Sequence, residues 1–332
     1  MSYPISRDFR LEIGALRPVA DGLNRPECVL ALADGELVVA HGGGGYSVIR
    51  DGEAPRHILA AGGNPQRYVP NGIALAPDGT ILFANLGAEC GGIFRIDAGG
   101  AVTPVVETVG GEPIPPTNFV VVDGEGTLWF TVSTRTRPRD HAWNHRVADG
   151  FIGVQGPEGA RILADGIGYT NEIAFSPDGR WVYVNETYNQ RVSRFSLLPG
   201  PRLGPKEVVC QLGGADFPDG ICFDAHGGIW ITCVGSNRVL LIRPDGELQC
   251  VLEDTDEAYA AVLAEKVLAG TLRGSDMATA GGSRLHNVSS LAFGGPDLRT
   301  AYLGTLLGTA VLAFDSPVAG APPPHWSRRL AA

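Results

Sequence analysis

Asn171-Glu172-Ile173-Ala174-Phe175-Ser176-Pro177-Asp178-Gly179-Arg180-Trp181-Val182-Tyr183 is the phrase from which the fold can be read. A polar residue leads an apolar triplet, an Asp-Gly turn follows, and an aromatic, β-branched strand returns. Asp-Gly between two apolar runs is a strong short-range hairpin signal. The phrase recurs. Asn71-Gly72-Ile73-Ala74-Leu75 leads to Pro77-Asp78-Gly79 and Ile81-Leu82-Phe83. Asn118-Phe119-Val120-Val121-Val122 leads to Asp123-Gly124-Glu125-Gly126 and Leu128-Trp129-Phe130. Asp219-Gly220-Ile221-Cys222-Phe223 leads to His226-Gly227-Gly228 and Ile229-Trp230-Ile231. Looser copies begin at Glu27 and at Val288.

The turn glycines Gly35, Gly79, Gly126, Gly179 and Gly227 are 44, 47, 53 and 48 residues apart, the size of one four-stranded propeller blade. Six copies predict an all-β protein, a six-bladed β-propeller. A sandwich or stacked barrels would not hold that period. We expect one domain over 1–332, with the propeller core at about 16–315. Between blades five and six, Thr255 to Gly270 is rich in helix formers, and Tyr259, Val262, Leu263 and Val267 share one helical face. A short helical insertion is predicted there, either a packing flap or a lid. Thr134 to Asp149 holds four Arg and two His. It reads as a solvated loop, or as a substrate-facing loop that favours anions.

The 332 residues carry a formal charge of −10, so no basic surplus drives nucleic-acid binding. No run of 18 apolar residues suggests a membrane span, and the first residues lack the apolar stretch of a signal peptide. The expected setting is cytoplasmic, with neither membrane nor nucleic acid as partner. The six cysteines form no C-x-x-C pair and read as reduced, mostly buried thiols.

The repeat aligns Glu27, Asn71, Asn118, Asn171, Asp219 and Val288 at the starts of the inner strands. In a propeller these positions converge on one mouth of the central channel. Five of the six carry side-chain oxygen, and none is basic. Carboxylates gathered at one point are costly unless a cation joins them. Oxygen-only ligation suits a hard divalent ion such as Ca²⁺ or Mg²⁺. His286, just before the sixth inner strand, is a further candidate for the channel mouth. Glu186, ending an aromatic strand, reads as a substrate contact, a supporting group or a surface residue.

These motifs resemble the family of senescence marker protein, gluconolactonase and luciferin-regenerating enzyme, which includes regucalcin. The resemblance is carried by Glu27 after Arg25-Pro26, by Asn118 before Val120-Val121-Val122-Asp123, and by Tyr169-Thr170-Asn171. Phe217-Pro218-Asp219-Gly220 and Leu291-Ala292-Phe293-Gly294-Gly295-Pro296-Asp297 complete it. The resemblance implies a hydrolase that opens a lactone ring with one divalent cation, Ca²⁺ first and Mg²⁺, Mn²⁺, Zn²⁺ or Fe²⁺ as alternatives. It implies Glu27, Asn171 and Asp219 as metal ligands and Asp219 as base or nucleophile. Asn118 would ligate the ion or bind substrate; Asn71, Phe119, Glu172 and His286 are the other substrate-side candidates.

The chain departs from the sugar-lactonase pattern. Pro116-Thr117-Asn118-Phe119 stands where the family often has Arg-x-Asn-Asp, and Phe130-Thr131-Val132 where Phe-Thr-Asp is common. Lost hydroxyl-binding groups imply a less polar lactone or ester than gluconolactone. A phosphotriesterase-like or aryl-esterase-like hydrolase at the same site is one alternative. A non-enzymatic calcium-binding propeller is the other.

Overall fold

The computed structural model describes residues 3–61, 67–87 and 90–331. Six four-stranded antiparallel sheets form the blades of a β-propeller. The innermost strands are Val29–Ala31, Pro70–Leu75, Phe119–Val122, Thr170–Phe175, Asp216–Phe223 and Val288–Gly294. Each pairs outward with the next strand in sequence, so blades one to five are simple meanders. Blade six is closed differently. Its outermost strand is Arg17–Ala20, from before blade one, paired antiparallel with Val311–Asp315. The ring is therefore locked by hydrogen bonds between distant stretches of chain.

The first hairpin of blades one to five turns on a glycine with positive φ: Gly35 at 90°, Gly79 at 81°, Gly126 at 87°, Gly179 at 68° and Gly227 at 85°. That backbone region is strained for any residue with a Cβ. Two turns are tied to their own return strand. Trp129 Nε1 donates to Asp123 Oδ2 at 2.9 Å, and Trp230 Nε1 donates to Asp224 Oδ2 at 3.0 Å. Apolar clusters fill the spaces between blades, with Trp129, Trp230, Phe83 and Phe94 fully buried. One twisted sheet cannot bury both faces alone; stacking in a ring does so.

The insertion between blades five and six holds two helices, α1 (Glu257–Ala269) and α2 (Gly274–Thr279). Asp256 caps α1 by accepting from the Tyr259 amide at 3.0 Å, and Gly270 ends it with φ 78°. The buried face of α1 is Ala260, Leu263 and Val267. Val262, expected on that face, is 41% exposed. The seam is narrower than the pattern of large apolar residues indicated, because Ala260 permits close approach. The second helix spans little more than one turn and carries no apolar period to read. The six cysteines are unpaired; Cys28 and Cys233 are buried and the other four are partly exposed, fewer buried than expected.

Glu186 is neither a surface group nor open to substrate. It is 0% exposed, pairs with Arg191 at 2.7 Å, and accepts from Ser193 Oγ at 2.6 Å and the Gly168 amide at 2.8 Å. These bonds hold its carboxyl below the ordinary range despite burial. Glu186→Gln keeps the shape and removes the charge. We expect it to cost about 2–3 kcal/mol, the scale of hydrogen bonds to a charged group, measured as a lower urea midpoint with an unchanged slope.

Candidate metal centre

The inner strands do not run straight past the channel mouth. Blades two, four and five each carry a β-bulge there, with Asn71-Gly72 opposite Ala84, Asn171-Glu172 opposite Asn185, and Asp219-Gly220 opposite Thr232. Blade six has a register shift at the matching place, between Val288 and Ser290. A bulge re-aims side chains that a regular strand would send into the neighbouring blade. At the second bulge position a Cβ on Gly220 would meet Ser289 O at 2.6 Å, and one on Gly72 would meet the Phe119 Cα at 2.8 Å. Blade four places Glu172 at that position instead.

The result is a buried oxygen cluster. Glu27 is 2% exposed, Asn118 5%, Asn171 4% and Asp219 5%. Glu27 Oε2, Asn118 Oδ1 and Asn171 Oδ1 are buried without any hydrogen-bond partner. Three unpaired acceptors from three blades are costly to leave unmet. Burial, opposed by Arg25 and by the Asn71 amide, pushes the Glu27 carboxyl up to about 7. Burial first, and the Glu27 charge second, hold Asp219 and Glu172 well above the carboxylate range. Among the described residues no three His, Cys, Asp or Glu side chains form a metal-binding group by themselves. The set is two carboxylates completed by amide oxygens, a donor chemistry that fits a hard divalent cation.

Several supporting residues were not singled out from the sequence. Arg25 holds Asn71 through Nη2 to Oδ1 at 2.6 Å and reaches Pro70 O at 3.1 Å, from a backbone with φ 49°. Asn71 in turn donates to Asn118 O at 3.0 Å. Thr187 Oγ1 accepts from Asn171 Nδ2 and donates to Pro218 O, both at 2.9 Å. Asn185 Nδ2 donates to Asp219 O at 2.9 Å and Gly220 O at 3.1 Å. Blade four thus holds the bulge of blade five by side chain to backbone. The polar run Asn185-Glu186-Thr187 at the end of an aromatic strand was the available signal.

The other substrate-side candidates fall in different places. Glu172 accepts from the Ile221 amide at 3.1 Å and faces the channel below the cluster. Phe119 is buried with its backbone against Gly72. His286 is exposed, with φ 50°, and lines a smaller cleft with Asp21 and Arg284. The two irregular stretches meet over blades four and five. Trp143 stacks on Tyr188 at 4.9 Å, and Arg146 Nη2 donates to Leu268 O at 3.3 Å. Leu263 and Val267 of α1 pack into the same cluster as Tyr169, Tyr188 and Phe217. Burial, then Tyr169, then the nearby Asp219 charge raise the Tyr188 phenol.

The sequence profile of the family described as SMP-30/gluconolactonase/LRE-like region matches residues 86–254, half of the chain. The chain belongs to this family. A 6-deoxy-6-sulfogluconolactonase of Pseudomonas putida is 29% identical over 161 residues, covering 47% of this chain and 53% of that one. The lactonase drp35 of Staphylococcus saprophyticus is 24% identical over 240 residues, 68% and 71% of the two chains. This chain spans about half the length of the first relative, and 34% and 37% of two strictosidine synthase-like proteins of Arabidopsis thaliana. A gluconolactonase from Xanthomonas campestris superposes with a TM-score of 0.66 at 20% identity, over 90% of this chain and 89% of that one. A regucalcin from Agrobacterium tumefaciens, described as calcium-binding, gives 0.62 at 18%, over 92% of each. These likenesses carry the propeller fold. No helix among the described residues is long and apolar enough to cross a membrane.

Raised carboxyl values have a consequence for stability. Between the ordinary glutamate value of 4.5 and about 7, the folded chain keeps a proton on Glu27 that the unfolded chain has released. Stability of chelator-treated protein must therefore fall as pH rises through that window. We expect a lower thermal midpoint at about pH 8 than at about pH 5, recovered at the higher pH by a divalent salt. A midpoint insensitive to both would contradict this reading.

Proposed function

We propose that the chain is a metal-dependent hydrolase that opens a lactone ring. The observation that carries this reading is the set of unpartnered, buried oxygens on Glu27, Asn118 and Asn171, gathered beside the carboxyl of Asp219. Glu27, Asn171 and Asp219 would hold the ion, with Asn118 beside them. Ca²⁺ suits the all-oxygen set best; Mg²⁺, Mn²⁺, Zn²⁺ and Fe²⁺ are the alternatives. Such a cation, when bound, polarises a lactone carbonyl and stabilises the oxyanion of the tetrahedral intermediate.

The chain's own residues supply the rest. Asp219 takes a proton from the attacking water as the water oxygen bonds to the carbonyl carbon. The ring C–O bond then breaks, and the proton passes to the departing alkoxide, giving a hydroxy acid. Asn185 and Thr187 fix the backbone of the bulge that presents Asp219. Arg25, through Asn71, steadies the blade-two side. The cluster of Trp143, Tyr169 and Tyr188 beside Asp219 would help to keep water from the centre.

The substrate side of the proposal is a lactone poorer in hydroxyl groups than a sugar lactone. Pro116, Phe119 and Val132 stand where polar readers are common, and Phe119 is buried with no polar atom to offer. The lactonase names of several relatives support the reaction class. A cytoplasmic setting belongs to the same proposal, in keeping with six unpaired cysteines.

Turnover of an alkyl-substituted lactone should vanish on chelation and return with a divalent salt. Asp219→Asn should lower kcat by about 10²- to 10⁴-fold, the usual range for losing a general base, with the fold intact by circular dichroism. Full activity in that variant, or activity indifferent to chelation, would sink the assignment. Turnover of aryl or phosphate esters alone would favour the runner-up chemistry. Metal binding with no turnover of any ester would favour a calcium-binding propeller.

A further inference from the structure

Arg139 stands over the channel mouth with its charge unmet. It opens the short helical turn Arg139–Ala142, which Trp143 ends. Its guanidinium carbon lies 5.8 Å from the centre of the Tyr169 ring. Tyr169 leads straight into Thr170-Asn171, and its ring meets that of Tyr188 edge-on at 4.7 Å. The Tyr188 phenol is raised by burial first, then by Tyr169 and the Asp219 charge, and Arg139 opposes that rise. One side chain thus lies within charge range of both the proposed base and this cation.

The segments around Arg139 have spent their acids elsewhere. Their ion pairs are Arg135 with Asp165, Glu257 with Arg238 and Lys266 with Asp276. Asp149 accepts from the hydroxyls of Thr134 and Thr136, and Asp256 caps α1. Asp140, next in sequence, takes the Gly274 amide at 3.4 Å, and Glu265 is exposed. Arg146 and Arg273 donate to carbonyls, to Leu268 O at 3.3 Å and Leu272 O at 2.6 Å. Arg139 has neither kind of tie among the described residues. Its Nε is buried with no hydrogen-bond partner, while Nη1 and Nη2 are not enclosed. The hydroxyls of Tyr169 and Tyr188 are likewise unbonded and not enclosed.

Stacking on Tyr169 offsets part of the cost of removing this charge from water. It leaves the hydrogen-bonding fork empty. A guanidinium fork beside two phenol hydroxyls is a set of donors lacking an acceptor, and a carboxylate accepts two parallel bonds from such a fork. The far side of the channel offers an anion nothing comparable. A cavity of about 690 Å³ lies there, below the oxygen cluster, and Glu172, Asp123 and Glu125 on its wall repel negative charge. A strap of chain, 321–331, crosses its end, tied by the Ala321 amide to Phe223 O at 2.9 Å. Arg328 of the strap already donates to Leu75 O at 2.8 Å and Asp123 O at 2.7 Å.

Resting on the lactonase reading, we propose that the substrate's ring carries a carboxylate or a similar small oxyanion, and that Arg139 is the specificity residue that binds it. The Tyr169 and Tyr188 hydroxyls are the further donors. Such a group needs none of the hydroxyl readers absent at Pro116, Phe119 and Val132.

The test uses the full chain with Ca²⁺ present. Tetrahydrofuran-2-carboxylate, which has no ring carbonyl to open, reports binding alone by calorimetry. We expect it to bind saturably, and Arg139→Gln to weaken it about 10- to 100-fold, the range for a lost hydrogen bond to a charged group. Arg139→Lys, which keeps the charge, should restore part of that loss, and both variants should keep the thermal midpoint. In turnover, the wild type should prefer 5-oxotetrahydrofuran-2-carboxylate at least tenfold in kcat/KM over γ-valerolactone, where a methyl replaces the carboxylate. Arg139→Gln should remove that preference through KM and leave γ-valerolactone unchanged. Binding of the carboxylate that depends on Arg139, with no lactone turned over, would support the anion site and count against the lactonase reading. No binding to the wild type, equal binding by Arg139→Gln, or equal turnover of the two lactones by the wild type would overturn the proposal.

Discussion

Carboxyl groups that repel one another are held side by side, away from water, at the axis of this molecule. Nothing local to Glu27 or Asp219 brings them together; they lie nearly two hundred residues apart and in different blades. What holds them is ring closure. The strand Arg17–Ala20 pairs with Val311–Asp315, and every inner strand is thereby pressed toward a common centre. A closed ring of stacked sheets has little freedom to relax when like charges meet at its axis. The electrostatic cost stays with the carboxyls, which respond by holding protons. A cation with an open coordination shell relieves the same cost by attraction. The stability of the blades and the chemistry of the centre are coupled through that one constraint.

The inner strands serve two ends of the channel with one sequence pattern. Their first residues, displaced by bulges, offer oxygen at one mouth. Their apolar triplets, alternating regularly below the bulge, line the cavity toward the other. Glu172 sits where these two regimes meet, because it is the second residue of a bulge whose counterparts are glycines. The strap crosses one end of the channel, and the paired loop and helices pack together beside Tyr169 and Tyr188.

Much of this was legible in the sequence. The Asp-Gly turns and the near-constant spacing carried the blades, and the polar residue ahead of five of the six apolar triplets is buried in the structure. The residues that make the centre work as a unit were harder to read. A bulge is a count of two residues against one, and the count depends on the partner strand. Asn185 and Thr187 stand in a polar run at the end of an aromatic strand, but their bonds to the backbone of the next blade depend on how the blades stack, which that run does not specify. Arg25 lies in a motif that was noticed, yet its hold on Asn71 requires a left-handed backbone that no local pattern specifies. Glu186 ended a promising strand, but its partners Arg191, Ser193 and Gly168 consume it. Residues 134–149 and the insertion after blade five gave no sign that they cover one another; each looks irregular alone because its packing is supplied by the other.

The measurement that bears most directly on this account is anomalous diffraction from crystals grown with Mn²⁺ as a stand-in for Ca²⁺. A single strong peak is predicted within bonding distance of Glu27, Asn118, Asn171 and Asp219, on the channel axis. A map without density there, with the carboxyls of Glu27 and Asp219 turned apart and their oxygens bonded to protein, would contradict it.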